Sequence, residues 1–359
     1  GLAKYDGSAL YEYPNNDVGI SEWGSNNFMH SRGEVRSFLQ SCANYWLRTF
    51  HFDGLRMDAI SRIIYWHGDE KRGVNGNAVD FIKYMNQGLK DRNPGCFLAA
   101  EDSTNFANVT KSVSEGGLGF DYKWDMGWMH DTLSYFQMSP DDRYNNYHKL
   151  TFSMMYYYNE KFLLPLSHDE VVHGKATILQ KMYGDYDIKF PQARAFYMYM
   201  MVHPGKKLNF MGNELGQFRE WDEKREQDFM LLDFPIHRAF NNYIADLNKN
   251  YLSRSAFFGK EYDYDGFKWL DCNSPDRLMY SILREDNKSR IFAIFNFSKY
   301  EQIDYRIELP DNKGVNILMN SDWKCYGGNA DENNVFWHID GNALTCTMPR
   351  FSAALFELK

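Results

Sequence analysis

The chain has 359 residues, a formal net charge of -8 and an isoelectric point of about 5.7. Its length exceeds the roughly 150 residues typical of a single domain, so two domains with sizeable cores are expected. The acidic balance and the lack of any Lys/Arg-rich run argue against nucleic acid or an anionic membrane as partner, and a neutral substrate fits better.

Residues 1–30 are rich in Gly, Asn, Tyr and Ser without a sustained period and read as a long surface loop, a kind of segment that often carries function. Ser31-Arg32-Gly33-Glu34 then matches the S-x-x-E capping box. Val35, Phe38, Leu39, Cys42, Tyr45, Trp46 and Phe50 follow at helical spacing, which predicts a helix. It leads into His51 to Ile60, which reads as a buried strand ending in a charged pair. Alternate side chains on a strand share a face, so Arg56 and Asp58 point one way while Leu55, Met57 and Ile60 are free to pack the other way. A second helix is expected from about Ala78 to Lys90 with Asn77 as its cap. Pro94-Gly95 ends it, and Cys96 to Glu101 forms the next short apolar strand.

The alternation continues with a strand over Phe120 to Trp124, helical stretches from Trp128 to Tyr158 and a strand over Phe162 to Ser167. Further on come a helix over Ala193 to Val202, a strand over Lys207 to Met211 and a helix over Pro235 to Asn250. Strand and helix in turn, with apolar strands, define an α/β fold with a parallel sheet covered on both faces. From about Ser255 the pattern changes to short strand-like runs around Trp269 and over Met279 to Leu283, Ile291 to Phe297, Tyr305 to Leu309, Val315 to Met319 and Ala353 to Leu358. These predict a separate antiparallel domain, an all-β sandwich. The expected division is therefore 1–254 and 255–359.

The five cysteines, Cys42, Cys96, Cys272, Cys325 and Cys346, are scattered, which favours free thiols in a reducing compartment over disulfides or a zinc site. The apolar run from Ala195 to Val202 is far short of a bilayer span. No signal peptide is visible, although the sequence opens on Gly1 rather than Met, and a cytoplasmic location is expected.

Three carboxylates recur where an apolar strand gives way to a polar loop: Asp58, Glu101 and Asp169. In parallel barrels the carboxyl ends of the strands form the active face, so together with Arg56 and His168 these residues suggest one catalytic cluster. A structural ion pair is the plain alternative for Arg56 and Asp58. Glycosidic bond cleavage needs one ionised carboxylate and one protonated carboxyl group. Asp58, with Arg56 on its own face, suits the nucleophile. Glu101, beyond Phe97, Leu98, Ala99 and Ala100, suits the acid, because an apolar setting raises a carboxyl pKa. His168 and His173 are five apart, not the four that a helical H-E-x-x-H zinc site requires, so no metal is assigned. No cofactor is assigned either, since no P-loop or dinucleotide fingerprint is present and Gly116-Gly117-Leu118-Gly119 reads as a turn.

These stretches resemble the alpha-amylase superfamily, and within it the 1,4-alpha-glucan (glycogen) branching enzymes. Phe52 to Ala59 resembles the nucleophile strand, Ala99 to Ser103 the acid/base strand, and Leu166 to Glu170 the strand that stabilises the transition state. Gly119 to His130 and Glu170 to Lys175 are similar to branching enzymes in particular, and Gly205 to Glu214 to the last barrel strand and its loop. The resemblance runs from Gly1 to Lys359.

It implies Asp58 as nucleophile, Glu101 as acid/base, Asp169 as the carboxylate holding the distorted sugar, and Arg56 and His168 as substrate-binding residues. The implied fold is a partial (β/α)8 TIM-type barrel, about strands 4 to 8, followed by the all-β domain. The implied reaction transfers an alpha-1,4-glucan chain from glycogen, amylose or amylopectin to a 6-hydroxyl. Two rival readings remain, a hydrolase or debranching enzyme of the same superfamily and a non-catalytic glucan-binding protein. Five parallel strands do not close a barrel, so the chain by itself is expected to have little or no activity. His168 and Asp169 reach the same sugar only if their strand ends at about Ser167. Trp23, Trp124 and Trp128 are candidates for glucan contact, with core packing as the alternative.

Overall fold

The computed structural model describes residues 3–359. Gly1 and Leu2, the start of the expected surface loop, lie outside the described residues. Five parallel strands follow one another in chain order across their sheet: β1 (Gly54–Met57), β2 (Phe97–Ala100), β3 (Tyr122–Trp124), β4 (Phe162–Leu166) and β5 (Lys206–Asn209). The longer helices are α1 (Gly33–Thr49), α2 (Gly76–Arg92), α3 (Met126–Gln137), α4 (Tyr186–Val202) and α5 (Pro235–Ser253). The residues form two compact units, one running to Met126 and taking in Asn159–Phe162, the other comprising Gly127–Tyr158 and Leu163–Lys359.

In the first unit, β1 pairs in parallel with β2 in the register Arg56↔Ala99 and Met57↔Ala100, and β2 pairs with β3. The β1–β2 ladder runs one step past the strands, with Glu101 N–H donating to Met57 O at 3.0 Å and Ile60 N–H to Glu101 O at 2.9 Å. Gly54 permits the close approach, because a Cβ there would collide with the Phe97 backbone oxygen. Ile60, Ile64, Phe81, Ile82, Leu89 and Leu98 form the core, with Leu55 and Met57 packed against it as the alternation predicts.

Three expectations fail here. The stretch around β1 is not buried: residues 51–59 are exposed or half-buried, because β1 is the outermost strand of the sheet and pairs on one side only. The capping box at Ser31 is not made either, since α1 starts at Gly33 with Arg32 at the cap position and no side-chain cap bond. Most of the apolar stripe of α1 stays in solvent, and Phe38, Tyr45, Trp46 and Phe50 are all at least 40% exposed. Tyr45, Trp46, Phe50 and Phe52 instead pack on one another, with Trp46 and Phe52 stacked at 5.8 Å. For α2 the cap is Asn75, not Asn77, and its side chain accepts from Ala78 N–H at 3.3 Å.

In the second unit, β4 and β5 pair in parallel. Helix α4 is buried without a break from Gln192 to Val202, its polar Gln192 and Arg194 included, as befits a central helix. Residues 144–159, expected to be helical, form short 3-10 turns. The C-terminal strands are β6 (Phe267–Ser274), β7 (Met279–Glu285), β8 (Arg290–Asn296), β9 (Gln302–Glu308), β10 (Val315–Asn320), β11 (Trp337–Asp340), β12 (Ala343–Met348) and β13 (Ser352–Leu358). They make an antiparallel sheet β10-β13-β8-β7-β6 and a second sheet β11-β12-β9. Phe292, Ile294 and Phe356 of the first sheet share one core with Ile307, Leu344 and Met348 of the second, so this is the expected sandwich.

Three fully buried arginines join the helical part of this unit to the sandwich. Arg143 donates to Phe136 O and Phe297 O, Arg194 to Ser321 O, and Arg284 to Val202 O, Phe257 O and Gly266 O, all at 2.6–3.1 Å. Burial lowers the pKa of Arg143 and Arg194 to about 10, so both stay charged at neutral pH and depend on those carbonyls.

Candidate active site

Within the first unit, the end of β1 and the end of β2 bring Arg56, Asp58 and Glu101 together. One terminal nitrogen of Arg56 contacts both carboxylates, Asp58 Oδ1 at 2.6 Å and Glu101 Oε2. Asp58 follows the last residue of β1 and precedes Ala59, whose φ of +39° turns the chain sharply. The Asp58 side chain is left 77% exposed, whereas that of Glu101 is only 16% exposed. Burial pushes the Glu101 carboxyl above its ordinary range, opposed by Arg56 and reinforced by Asp58. That direction matches the apolar run before Glu101 and suits a group that must carry a proton.

Support for this pair comes from Trp124, which the sequence offered as a candidate for glucan contact, and from Asp102, Lys123 and Thr104, which it did not single out. Trp124 on β3 is buried, and its ring centre lies 4.4 Å from the Arg56 guanidinium carbon. Asp102, next to Glu101, is buried in an ion pair with Lys123 at 2.9 Å and accepts from Thr104 N–H and Oγ, which fixes the loop leaving β2. Trp128 is buried as well, so for both tryptophans the core alternative holds and direct glucan contact does not. Trp23 is 68% exposed, with Arg62 over its ring at 5.0 Å.

Within the second unit, β4 ends at Leu166, which meets the condition set for His168 and Asp169. Ser167 and Glu170 make a capping box that starts a turn at His168, and His168 Nε2 lies 3.4 Å from Asp169 Oδ1. Both residues line a cavity of about 480 Å³ together with His173, Arg219, Glu220 and Trp221. Of the six, Arg219, Glu220 and Trp221 carried no signal in the sequence beyond their place in the loop after β5.

Residues 269–359 match the family described as the alpha amylase, C-terminal all-beta domain. Over 367 aligned residues the chain is 41% identical to the 1,4-alpha-glucan branching enzyme GlgB of Bacillus cereus (strain G9842), covering 99% of this chain and 57% of that one. The chain thus spans little more than half the length of that curated relative. Among solved structures, an alpha-amylase from Geobacillus thermoleovorans complexed with acarbose has a TM-score of 0.65 at 15% identity, covering 99% of this chain and 72% of that one. The Nostoc punctiforme debranching enzyme has a TM-score of 0.67 at 15% identity, covering 94% of this chain and 65% of that one. At such identity these two likenesses concern the fold. Over nearly its whole length the chain is therefore similar to 1,4-alpha-glucan branching enzymes, and its C-terminal part matches the all-beta domain of alpha amylases.

Proposed function

We propose that the protein is a 1,4-alpha-glucan branching enzyme acting by a retaining double displacement. The 41% identity to a branching enzyme supports the transfer reaction, and the observation that carries the retaining mechanism is the shared nitrogen of Arg56. Two carboxylates held by one guanidinium nitrogen lie well inside the roughly 6.5–9.5 Å separation of an inverting pair. Asp58 attacks the anomeric carbon of an alpha-1,4-linked glucose while Glu101 protonates the departing glycosidic oxygen. The chain to be transferred is then bonded to Asp58 as an ester. Glu101, now a carboxylate, takes the proton from the 6-hydroxyl of an acceptor glucan, whose oxygen displaces Asp58 and forms the alpha-1,6 bond.

Arg56 and His168 bind the same substrate, and Asp169 holds the distorted sugar. These three roles rest on the motifs that the chain has in common with the alpha-amylase superfamily. Substrates are alpha-1,4-glucans such as glycogen, amylose and amylopectin. We assign the barrel portion to 1–254, the all-β domain to 255–359 and the protein to the cytoplasm; among the described residues no helix is long and apolar enough to cross a membrane.

The test is proton NMR of amylose treated with the chain supplied with the strands that would close its barrel, counting alpha-1,6 linkages against new reducing ends. Growth of alpha-1,6 signal with few reducing ends is expected, and Asp58→Asn should abolish it. Reducing ends without alpha-1,6 signal would make the protein a hydrolase. Full activity in Asp58→Asn would remove the mechanism.

A further inference from the structure

The cavity beside Asp169 has a wall that the proposed mechanism does not use. Trp221 is half-buried, with its ring at right angles to Phe210 at 5.3 Å and at 79° to His168 at 6.2 Å. Its backbone is tied to the turn after Asp169, Trp221 N–H donating to Val171 O at 3.0 Å. The neighbouring Glu220 reaches the same segment from the other side and accepts from Gly174 N–H at 2.9 Å and Ala176 N–H at 2.7 Å. Those two bonds hold its carboxyl below the usual range, so it is ionised. Lys181 completes the clamp, donating to the carbonyls of Glu170, Lys175 and Ala176 at 2.5–2.6 Å. The 173–176 segment needs such a clamp, since His173 at φ +58° and Ala176 at φ +66° are left-handed without being glycine.

Both arginines of the cavity are paired, while Asp169, Glu220 and Glu223 also line it. Arg219 pairs with Asp228 at 2.7 Å, and Arg225 lies 3.8 Å from Asp222. Paired arginines and hydrogen-bond-accepting carboxylates beside an indole suit a neutral ligand rich in hydroxyls better than an anion, and about 480 Å³ falls in the roughly 300–1,000 Å³ range of small-ligand sites. We infer that Trp221 stacks on a glucose unit of the glucan in this cavity, and that Glu220 is the positioning residue that fixes Trp221 against the turn carrying Asp169. This rests on the reading of the protein as glucan-acting.

The experiment compares the protein with Trp221→Ala, Trp221→Phe and Glu220→Ala, first in amylose branching and then in calorimetric binding of maltohexaose to the same changes made on Asp58→Asn. Trp221→Ala should raise KM and the maltohexaose Kd about tenfold with kcat changed less than about threefold, and Trp221→Phe should fall between. Glu220→Ala should move KM and Kd in the same direction without lowering the melting temperature to match. Unchanged Kd in Trp221→Ala overturns the inference even if branching is confirmed. A protein that makes no alpha-1,6 bonds but binds maltohexaose through Trp221 upholds the subsite and removes only the branching assignment.

Discussion

The Arg56 guanidinium carbon lies 4.4 Å from the centre of the buried Trp124 ring, while the tip of the same side chain holds both Asp58 and Glu101. A cation that touches two carboxylates and one π face is constrained on three sides.

Replacing Trp124 by Phe keeps a π face, and replacing it by Leu does not. Trp124→Leu should therefore lose about 1 kcal/mol more transition-state stabilisation than Trp124→Phe, roughly a fivefold difference in kcat/KM for branching. Equal losses would mean that the ring only fills space.

Arg56 lowers the Glu101 pKa against the upward push of burial. In Arg56→Ala that restraint is gone, so Glu101 should hold its proton to higher pH and the alkaline limb of the kcat/KM profile should move up. The rate itself should fall by about 100-fold or more, as when a charge-stabilising donor is removed from an active site. A limb that moves down would contradict Glu101 as the acid.

The buried Glu160 accepts from Val109 N–H at 2.8 Å, Thr110 N–H at 2.7 Å and the Thr110 hydroxyl at 2.5 Å. Glu160→Ala leaves these donors buried without an acceptor and should cost about 3 kcal/mol or more, measured as a lower urea midpoint. A loss under about 1 kcal/mol would show that water replaces the carboxylate.

His203 is fully buried between the Ser153 hydroxyl at 2.8 Å and Pro204 O at 2.7 Å, and burial lowers its pKa to about 3. Its folded pKa lies below the ordinary value of about 6.5, so the unfolded chain binds the proton first. The stability it contributes is complete above about pH 6.5 and is lost as pH falls towards 3. His203→Gln should flatten the dependence of melting temperature on pH in that window. An unchanged slope would assign acid sensitivity to other groups.

Much of this was legible in the sequence because strands and strand ends have short-range signatures. The apolar runs before Asp58, Glu101 and Asp169 located β2 and β4 within a residue and β1 within three, and the raised Glu101 pKa followed from its apolar neighbours. What failed depended on distant partners. Nothing in Leu55-Arg56-Met57 says that β1 lacks a neighbour on one side, so its burial was overestimated. Trp124 and Trp128 look like sugar platforms until the residues packed over them are known. The hairpin β11–β12 did carry a local signal, Gly341-Asn342 between alternating runs, with Gly341 at φ +61°. Glu220 acts through backbone N–H groups some 45 positions away, a relationship that spacing does not encode.

Arg143, Arg194 and Arg284 bear on how such proteins can be recombined. The match to a widely shared C-terminal domain invites treating residues 269–359 as a cassette that can be exchanged between relatives. Yet Arg143 and Arg194, upstream of that boundary, end on carbonyls inside it, and Arg284, inside it, ends on carbonyls upstream. A chimaera cut at the boundary would strand buried cations on both sides of the join unless the donor supplies carbonyls at the same places. The sandwich is thus inherited together with α4 and the 3-10 turns before β4, and the natural unit of exchange is larger than the domain.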